Sequence, residues 1–496
     1  MERIRRKERR RAIFKQLWLT LAVSMAFLGI GLVRGYSASA LPSLRDLSPH
    51  LIPDNEALSW AGSVPPLGAL IGSLLSAPLM QKLGLRRTLM ISSPLWVGSW
   101  VLIALATAPW MLIVGRFLTG LMVGVVLPCA QIYVSECCSP DIRGILGSLP
   151  SLFMSGGILV SYILGTWLPW DKLAWSSAIC VGLIILVVIP LPESPVWLAG
   201  HGKTEKAELS RQWLHLEEKK NDILMIETNG KNTNVEATPE TKTEEINKDS
   251  NDENEKAFSW KTLTSRPVLC PLGIGLVVLA LQQFSGIDSV VFYTVDIFRS
   301  SGSSLDGHIA TILVGLVQLI CNGLSLLLID RAGRKPLLIG SGAVMSMAMA
   351  SMGAAFYLHE QGNDSLGFLP LVSLVVFMIG FSFGYGCIPF LLIGELFPAK
   401  QRALLSSIAG SFNLAAMFLV IKTYHMLQDI LTSAGTFWLY SILCASSILF
   451  VIFCVPETKG KSLEEIERRF QKKTPVPQND SDSNHKVAEK NEKTKL

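Results

Sequence analysis

This sequence has little charge. Only 17% of its 496 residues are charged, while 50% are hydrophobic. Its mean hydropathy of +0.41 lies outside the range of soluble domains. The scarcity of charge therefore excludes an ordinary soluble protein and indicates a chain that crosses a membrane several times.

The nine cysteines are too scattered to form a recognisable site. They lie mostly within apolar runs, and none shows the spacing of metal ligands. Cys137 and Cys138 are the only pair close in sequence, and adjacent cysteines rarely form a bridge. We therefore expect small buried residues rather than a zinc site or a disulfide framework.

The sequence also lacks the motifs of covalent and nucleotide chemistry. It contains no phosphate-binding Gly-Lys-Thr/Ser loop, no metal-binding cluster and no nucleophile-base arrangement. These absences argue against an ATP-driven pump or a membrane enzyme, and we expect no cofactor. The basic N-terminus, MERIRRKERRR, leads into a full-length apolar segment without a small-residue cleavage site, which predicts a retained end and not a cleaved signal.

Long apolar segments are what the sequence does contain. A bilayer-spanning helix needs about 20 apolar residues, and twelve segments meet that length. Six lie in the first half, at about 17–41, 57–80, 88–107, 110–134, 145–168 and 174–191, and six in the second, at about 267–298, 308–329, 337–358, 366–393, 404–427 and 433–455. The predicted fold is an all-α membrane protein with twelve transmembrane helices in two six-helix halves.

Composition divides the chain into five predicted regions. They are a basic arm (1–16), an N-terminal half (17–198), a linker (199–260), a C-terminal half (261–456) and a tail (457–496). The linker is rich in Glu, Lys, Asn and Thr, which predicts a short amphipathic helix at 203–218, with Trp213 and Leu214 against the bundle, and disorder at 219–256. The tail is predicted to be helical over about 462–472.

Lysine and arginine predict the orientation. The N-terminal arm, the Lys82–Arg87 loop, the Arg331–Lys335 loop and the basic tail fall on one side, and the opposite loops are poor in basic residues. By the positive-inside rule both termini are cytoplasmic. A glycosylation sequon at Asn363 then lies outside, and a second at Asn479 lies in the cytoplasm.

An internal duplication relates the two halves. Gln81 to Arg86 matches Asp330 to Lys335, Glu136 and Glu395 each precede an arginine by seven residues, and Pro192-Glu193-Ser194 matches Pro456-Glu457-Thr458. Three matched pairs in the same order indicate repeated bundles. Two such bundles with a cavity between them are the usual architecture of a carrier that rocks about a fixed site.

One apolar segment carries an unusual polar load. Residues 282–293 read QQFSGIDSVVFY. Unpaired polar groups in hydrocarbon cost several kcal/mol, so Gln282, Gln283 and Asp288 should face a water-filled cavity or one another. Glutamines offer both donors and acceptors for a polyhydroxylated ligand, and Gly286 permits a helix break where a ligand approaches. The alternative is that these residues join helices to one another.

Charged residues recur at the predicted cytoplasmic helix ends. Their pairing predicts a network that closes an inner gate and breaks when the cavity opens inward. Simple orientation by positive charge explains the arginines but not the regularly spaced glutamates. The first-half copy has Gln81 and Leu85 where the second has Asp330 and Arg334, so its side of the gate is expected to be weaker. The predicted network comprises Glu136, Arg143, Glu193, Asp330, Arg331, Arg334, Glu395, Arg402 and Glu457.

These motifs resemble those of the sugar porters, a family of the major facilitator superfamily. The resemblance is carried by QQFSGIDSVVFY and by VGRFLTG, YVSECCSPDIRG, PESPVWL, DRAGRK, GELFPAKQR and VPETKG, which span nearly the whole chain except the linker and the ends. In that family the two glutamines and a following asparagine bind the sugar. Here Asp288 replaces the asparagine and Phe292 the first of two tyrosines, which leaves Tyr293.

The resemblance implies further sugar-binding positions. Hexose carriers have glutamine at Ser151, asparagine at Gln318 and tryptophan at Phe390, while Asn413 is retained and Leu414 replaces its neighbouring tryptophan. Losing a glutamine and an indole weakens a monosaccharide site and leaves space for a larger sugar. The surrounding runs look most like the insect facilitated trehalose transporters. The alternative is that these positions have drifted in a carrier of altered activity.

One position in the first predicted helix indicates whether transport is coupled to protons. Proton-coupled members of the family carry an aspartate where this chain has Ser37, and serine does not titrate, so uniport is favoured. Arg34 and Asp288 are both ionisable and lie in equivalent helices of the two halves, which suggests an ion pair across the cavity. The alternative places Arg34, and likewise Arg116, at the outer interface with its charge in water.

These observations predict a facilitative sugar carrier of the plasma membrane that works as a monomer, with trehalose as first substrate and hexose as second. Its partners are the sugar and the bilayer, and no nucleic acid is expected. A proton-coupled symporter and a sugar sensor of the same fold are the rival interpretations.

Overall fold

The computed structural model describes residues 2–215, 266–302, 305–363, 366–398, 401–459, 461 and 463–470, and the described residues are helical apart from short connections. The helices of the first part are α1 Glu2–Leu47, α2 Asn55–Leu83, α3 Leu85–Ala104, α4 Pro109–Cys137, α5 Pro140–Trp167, α6 Trp170–Val188, α7 Pro195–Gly200 and α8 Thr204–Leu214. The second part contains α9 Arg266–Phe284, α10 Ile287–Ser300, α11 Gly307–Ala332, α12 Arg334–Glu360, α13 Leu369–Phe383, α14 Ile388–Leu396, α15 Arg402–Cys454 and α16 Leu463–Phe470.

The described helices supply twelve membrane crossings. Ten stretches are long and apolar enough to span a bilayer. One of them is the 53-residue α15, whose length of about 80 Å exceeds any bilayer. Its backbone breaks at Thr432, where φ is +65°, so it supplies two crossings. The 20-residue α3, which is less apolar because it begins with Leu85-Arg86-Arg87, completes the set.

Several boundaries differ from those predicted. The first crossing was predicted from residue 17, but α1 is continuous from Glu2, because the basic arm contains neither proline nor glycine to end a helix. The predicted helix at 203–218 is present as Thr204–Leu214, with Leu214 fully buried, and the tail helix is present as Leu463–Phe470. The segment predicted to be disordered, 219–256, lies outside the described residues.

The duplication is visible in the backbone. α2 joins α3 through Gly84 (φ +92°, ψ 167°), and α11 joins α12 through Gly333 (φ +91°, ψ 162°). Only glycine adopts such a backbone readily. In both halves a glutamate carboxylate then lies at the start of the following helix. The two halves therefore repeat in backbone geometry as well as in sequence.

The halves meet along three pairs of helices, α1 with α10, α2 with α15 and α5 with α11. We call the end of the bundle at which α1 ends and α2 begins the outer end, and the opposite end the inner end. Hydrogen bonds between the halves join Ser59 to the carbonyl of Lys422 (2.7 Å) and Tyr162 to the carbonyl of Val291 (3.0 Å). Both lie toward the outer end of their helices, and they hold α2 and α5 against the second half there.

Candidate substrate site and the charges around it

The seventh crossing breaks where its polar residues lie. α9 ends at Phe284 and α10 begins at Ile287, with Gly286 between them in a left-handed conformation (φ +86°). A Cβ atom at Gly286 would lie 2.6 Å from the ring of Tyr440, so both the backbone angle and the space require glycine. The break frees backbone groups and turns the side chains of the α9 end toward the neighbouring helices.

Three amides form a chain at this break. Gln282 Nε2 donates to the carbonyl of Tyr385 (2.6 Å), and Gln282 Oε1 accepts from Asn413 Nδ2 (3.2 Å). Asn413 Oδ1 in turn accepts from Gln283 Nε2 (3.0 Å). Tyr385 lies in the turn between α13 and α14, where the tenth crossing also breaks. The chain thus joins two broken crossings through α15.

The amide chain ends on a free acceptor. Gln283 Oε1 is buried without a hydrogen-bond partner among the described residues. A buried carbonyl oxygen left unpaired costs about 1–3 kcal/mol, which a hydroxyl donor would recover. Because each amide also carries donors, the cluster can exchange its own hydrogen bonds for those of a ligand rich in hydroxyls.

Asp288 and Arg34 lie together between the halves. Arg34 Nη2 on α1 forms an ion pair with Asp288 Oδ1 on α10. The Asp288 side chain is fully buried, whereas that of Arg34 is 26% exposed. Arg34 therefore does not extend to the outer interface away from Asp288. Whether this contact acts in transport stays a prediction.

The remaining predicted sugar-binding residues are more dispersed. Tyr293 is fully buried and stacks on Tyr424 with ring centroids 4.9 Å apart, and Gln318 is also buried. Ser151 is exposed and Phe390 is 51% exposed, so neither belongs to the buried amide cluster. Their assignment to the sugar site stays a prediction.

Sequence reasoning missed a polar link between α5 and α11. Asn322 Nδ2 donates to Ser155 Oγ at 2.7 Å, four residues along each helix from the predicted positions Gln318 and Ser151. Helical spacing of four places each pair on one face. The helical spacing in the sequence could have revealed this link, since Ser155 and Asn322 each lie one turn after a position implied by the resemblance.

Arg116 lies inside the first half rather than at the outer interface. Its side chain is 1% exposed and donates to the carbonyls of Ala61 (3.1 Å) and Val33 (3.5 Å), and to Ser37 Oγ. Its guanidinium also lies 5.2 Å from the centroid of the Tyr36 ring. The serine at position 37 thus has a defined partner, and this partner is a buried cation.

In the second half, the inner-end charges form a compact network. Arg334 Nη2 pairs with Glu395 Oε1 at 3.0 Å, and Glu457 accepts from the backbone N–H groups of Arg334 (3.2 Å) and Lys335 (3.0 Å). Arg402 donates to the carbonyl of Phe397 at 3.2 Å. The side chains of Asp330 and Arg331 lie outside the described part.

The first half repeats this arrangement without its arginine. Glu193 Oε1 accepts from the backbone N–H of Arg86 (2.9 Å), as Glu457 does from Lys335. Leu85 stands where Arg334 does, and Glu136 accepts from the hydroxyl of Ser194. Sequence reasoning did not assign Ser194 to the network. The Arg143 side chain is outside the described part, and a weaker first-half gate stays a prediction.

Glu457→Gln should destabilise the protein at neutral pH and much less in acid. Burial raises the pKa of this carboxyl. The hydrogen bonds from the backbone N–H groups of residues 459, 334, 335 and 458 together lower it by more, so the pKa lies below its ordinary value of 4.5. A lowered pKa means stability that is present above the unfolded-state value and lost as pH falls through the folded-state value.

We expect a loss of about 1 kcal/mol or less from this partly exposed helix-capping charge. Thermal unfolding of the detergent-purified variant and unaltered protein at pH 7 and pH 4 measures this loss. The unfolding temperatures of the two proteins should lie closer together at pH 4 than at pH 7. Glu360→Gln at the exposed end of α12 is the control. If the difference in unfolding temperature is as large at pH 4 as at pH 7, the charge of Glu457 is not what stabilises the folded protein.

Comparison with known proteins agrees with this architecture. A family model described as "Sugar (and other) transporter" matches residues 24–470. The chain is 38% identical over 467 residues to the facilitated trehalose transporter Tret1-2 homolog of Drosophila simulans, covering 93% of this chain and 92% of that protein. It is 39% identical over 463 residues to the facilitated trehalose transporter Tret1 of Apis mellifera ligustica, covering 92% and 88%.

Solved structures show the same fold. The inward open conformation of the xylose transporter XylE from E. coli superposes with a TM-score of 0.72 at 24% identity, covering 91% of this chain and 99% of that one. A crystal structure of a D-xylose-proton symporter gives a TM-score of 0.71 at 22% identity, covering 91% and 99%. The predicted all-α fold, with twelve crossings in two six-helix halves, is confirmed.

Proposed function

We propose, from the premise that this chain belongs to the sugar transporter family of the major facilitator superfamily, that it carries trehalose down its gradient, with hexose as second substrate. The chain is a multi-pass membrane transporter and not an enzyme. The proposal places it in the plasma membrane as a monomer, with both termini cytoplasmic and Asn363 glycosylated on the outside.

The observation that supports a sugar site best is the amide chain at the break of the seventh crossing. Gln282, Gln283 and Asn413 are at most 7% exposed and bond one another, and one acceptor is left over. Neutral amides suit neutral hydroxyls because they donate and accept without the desolvation cost of an ion. We propose that the sugar displaces bonds of this chain, and that Asp288, Tyr293, Gln318, Ser151 and Phe390 complete the site.

Trehalose as first choice is supported by the two insect relatives, which are facilitated trehalose transporters, and by the smaller side chains here. Ser151, Phe390 and Leu414 stand where hexose carriers of the resembling family have larger or more polar groups. Two linked glucose rings need more room than one, and these replacements leave it.

Uniport is supported by the surroundings of position 37. Ser37 Oγ accepts from the buried guanidinium of Arg116, and a serine hydroxyl does not change its charge in the physiological pH range. An aspartate at the same position would instead gain or lose its ion pair with protonation. The proposed cycle therefore releases no proton, and the charge pairs at the inner end act as the inner gate.

Counterflow in proteoliposomes tests the proposal. Vesicles preloaded with unlabelled trehalose should accumulate labelled trehalose transiently, and an imposed pH gradient should leave the initial rate unchanged. Ser37→Asp is the matched variant, and its rate should become dependent on pH because a titratable group then contacts Arg116.

Exchange of glucose without exchange of trehalose would contradict trehalose as the substrate and would show that the protein is a hexose carrier. Accumulation driven by the pH gradient in the unaltered protein would contradict uniport. Absence of exchange and of saturation with either sugar would contradict transport and favour the sensor.

A further inference from the structure

We propose that Lys422 and Trp60 form a cation–π latch that holds the outer ends of the two halves together, separately from the Arg34–Asp288 pair. We call Ser59, Trp60 and Lys422 the outer latch. The proposal deepens the proposed function, because it assigns a gate residue to a carrier that works by alternating access.

The contact geometry joins the halves at one point. Lys422 Nζ on α15 lies 4.2 Å from the centroid of the Trp60 ring on α2, and Ser59 Oγ donates to the carbonyl of Lys422 at 2.7 Å. Trp60 also contacts Phe418, one helical turn before Lys422, with ring centroids 6.1 Å apart. Side chain and backbone of one lysine are thus both held by consecutive residues of the other half.

A lysine within a spanning helix needs a physical reason, since an ammonium in hydrocarbon is expensive. Lys422 has two such reasons at the start of α2. One is the face of the Trp60 indole, which attracts cations most strongly among aromatic rings, and the other is the nearby carboxylates of Glu56 and of the capping residue Asp54. Asp54 is itself fixed, because it accepts from the N–H of Ala57 at 2.7 Å. The first half therefore presents a complete surface for this cation.

The same stretch of α2 has a second tight contact with the other half. A Cβ atom at Gly62 would lie 2.7 Å from the hydroxyl of Tyr293 on α10. Opening the outer end must separate α2 from both α10 and α15, so Lys422 and Trp60 must part during the cycle. A contact that must break in each cycle influences the population of the open state in a way that packing within one half does not.

α15 connects this latch to the substrate site. Asn413 of the amide chain precedes Lys422 by nine residues, or about 14 Å along the same helix. A change in the bonds of Asn413 that tilts α15 is therefore transmitted to the latch by a continuous helix.

Labelling of a reporter cysteine tests the latch without any sugar. Ser63 lies one turn after Ser59 on the same face of α2 and is fully buried, so Ser63→Cys is a small change that becomes accessible when the outer end opens. The nine native cysteines all lie in the described part of the chain and none is joined in a disulfide, so the parent without Cys at 63 is labelled with the same membrane-impermeant maleimide and its rate is subtracted.

Lys422→Gln and Trp60→Leu should each raise the rate of outside labelling by about 2- to 30-fold, the range that a cation–π contact supplies. The double variant should match the single variants, and Lys422→Arg and Trp60→Tyr should stay near the parent rate. Unchanged rates, or a double variant equal to the product of the two single effects, would overturn the latch.

Transport gives a second, separate readout with whichever of labelled trehalose and glucose the unaltered protein carries. Net uptake requires the empty carrier to reopen outward, whereas equilibrium exchange does not. Loss of the latch should raise the ratio of net uptake to exchange, and a parallel fall of both would contradict it. If the unaltered protein carries neither sugar, the proposed function fails, while the labelling result still decides the latch.

Discussion

Arg34→Ala should reduce sugar uptake at least about tenfold, and Asp288→Asn in the same chain should restore most of it. Asp288 is fully buried, so removing Arg34 leaves a buried carboxylate without its cation. Breaking a buried pair in this way typically costs about 3–5 kcal/mol. The double variant removes both charges and so avoids that cost.

The two single variants should differ. Arg34 is 26% exposed and its guanidinium can be solvated when Asp288 is neutralised, so Asp288→Asn alone should be milder than Arg34→Ala. Initial uptake rates in cells, divided by the amount of protein at the surface, measure both. Equal losses in the single variants, or additive losses in the double variant, would contradict an ion pair that acts across the halves.

A matched control exists at the outer rim. Arg299 on α10 pairs with Asp46 on α1 at 3.0 Å, but these side chains are 46% and 54% exposed. An exposed pair between the same two helices should contribute about 0–1 kcal/mol. Arg299→Ala should therefore leave uptake within a few-fold of the unaltered protein.

The proximity of Arg34 and Asp288 was accessible from the sequence because charge is so rare in the spanning segments. When two ionisable residues of opposite charge lie in equivalent helices of a duplicated chain, few other charged residues are available to pair with either. The break at Gly286 was accessible for a related reason, since glycine permits a helix break and the polar residues around it mark where a ligand approaches.

Other contacts were not accessible, because their partners carry no signal in the sequence. The acceptor of Gln282 is the backbone carbonyl of Tyr385, and any residue there would supply one. Ser194 replaces the missing arginine at Glu136 through a hydroxyl that also receives the N–H of Trp197 at 3.2 Å, as a helix cap does. Its role at Glu136 depends on tertiary packing that local pattern does not specify.

The last two crossings show the same limit for the fold. Two apolar segments separated near residues 427–433 predicted a loop between them, but helical backbone continues through this region and only Thr432 departs from it. The residue carries a positive φ that disfavours a β-branched side chain. Its hydroxyl accepts from the N–H of Gly435 at 3.3 Å, so a local hydrogen bond offsets part of that cost.

Replacing both glutamines by leucine should abolish sugar uptake, and the two single variants should fail for different reasons. Gln283 gives one hydrogen bond, to Asn413, and otherwise presents its free Oε1. Gln283→Leu should therefore raise KM by about tenfold or more while the protein folds normally. Gln282 bonds both Tyr385, in the turn before α14, and Asn413 on α15. Gln282→Leu removes both bonds and should therefore also lower the thermal unfolding temperature.

Saturation curves for uptake, paired with thermal unfolding of the purified variants, separate these effects. Gln428→Leu is the control, because its amide bonds Tyr424 (3.0 Å) near the outer end of the eleventh crossing, away from the cluster. It removes a partly buried amide hydrogen bond and should leave KM near that of the unaltered protein. If the double leucine variant reaches the cell surface and transports trehalose and glucose normally, these amides do not bind the sugar, because a hydrocarbon side chain cannot replace their donors and acceptors.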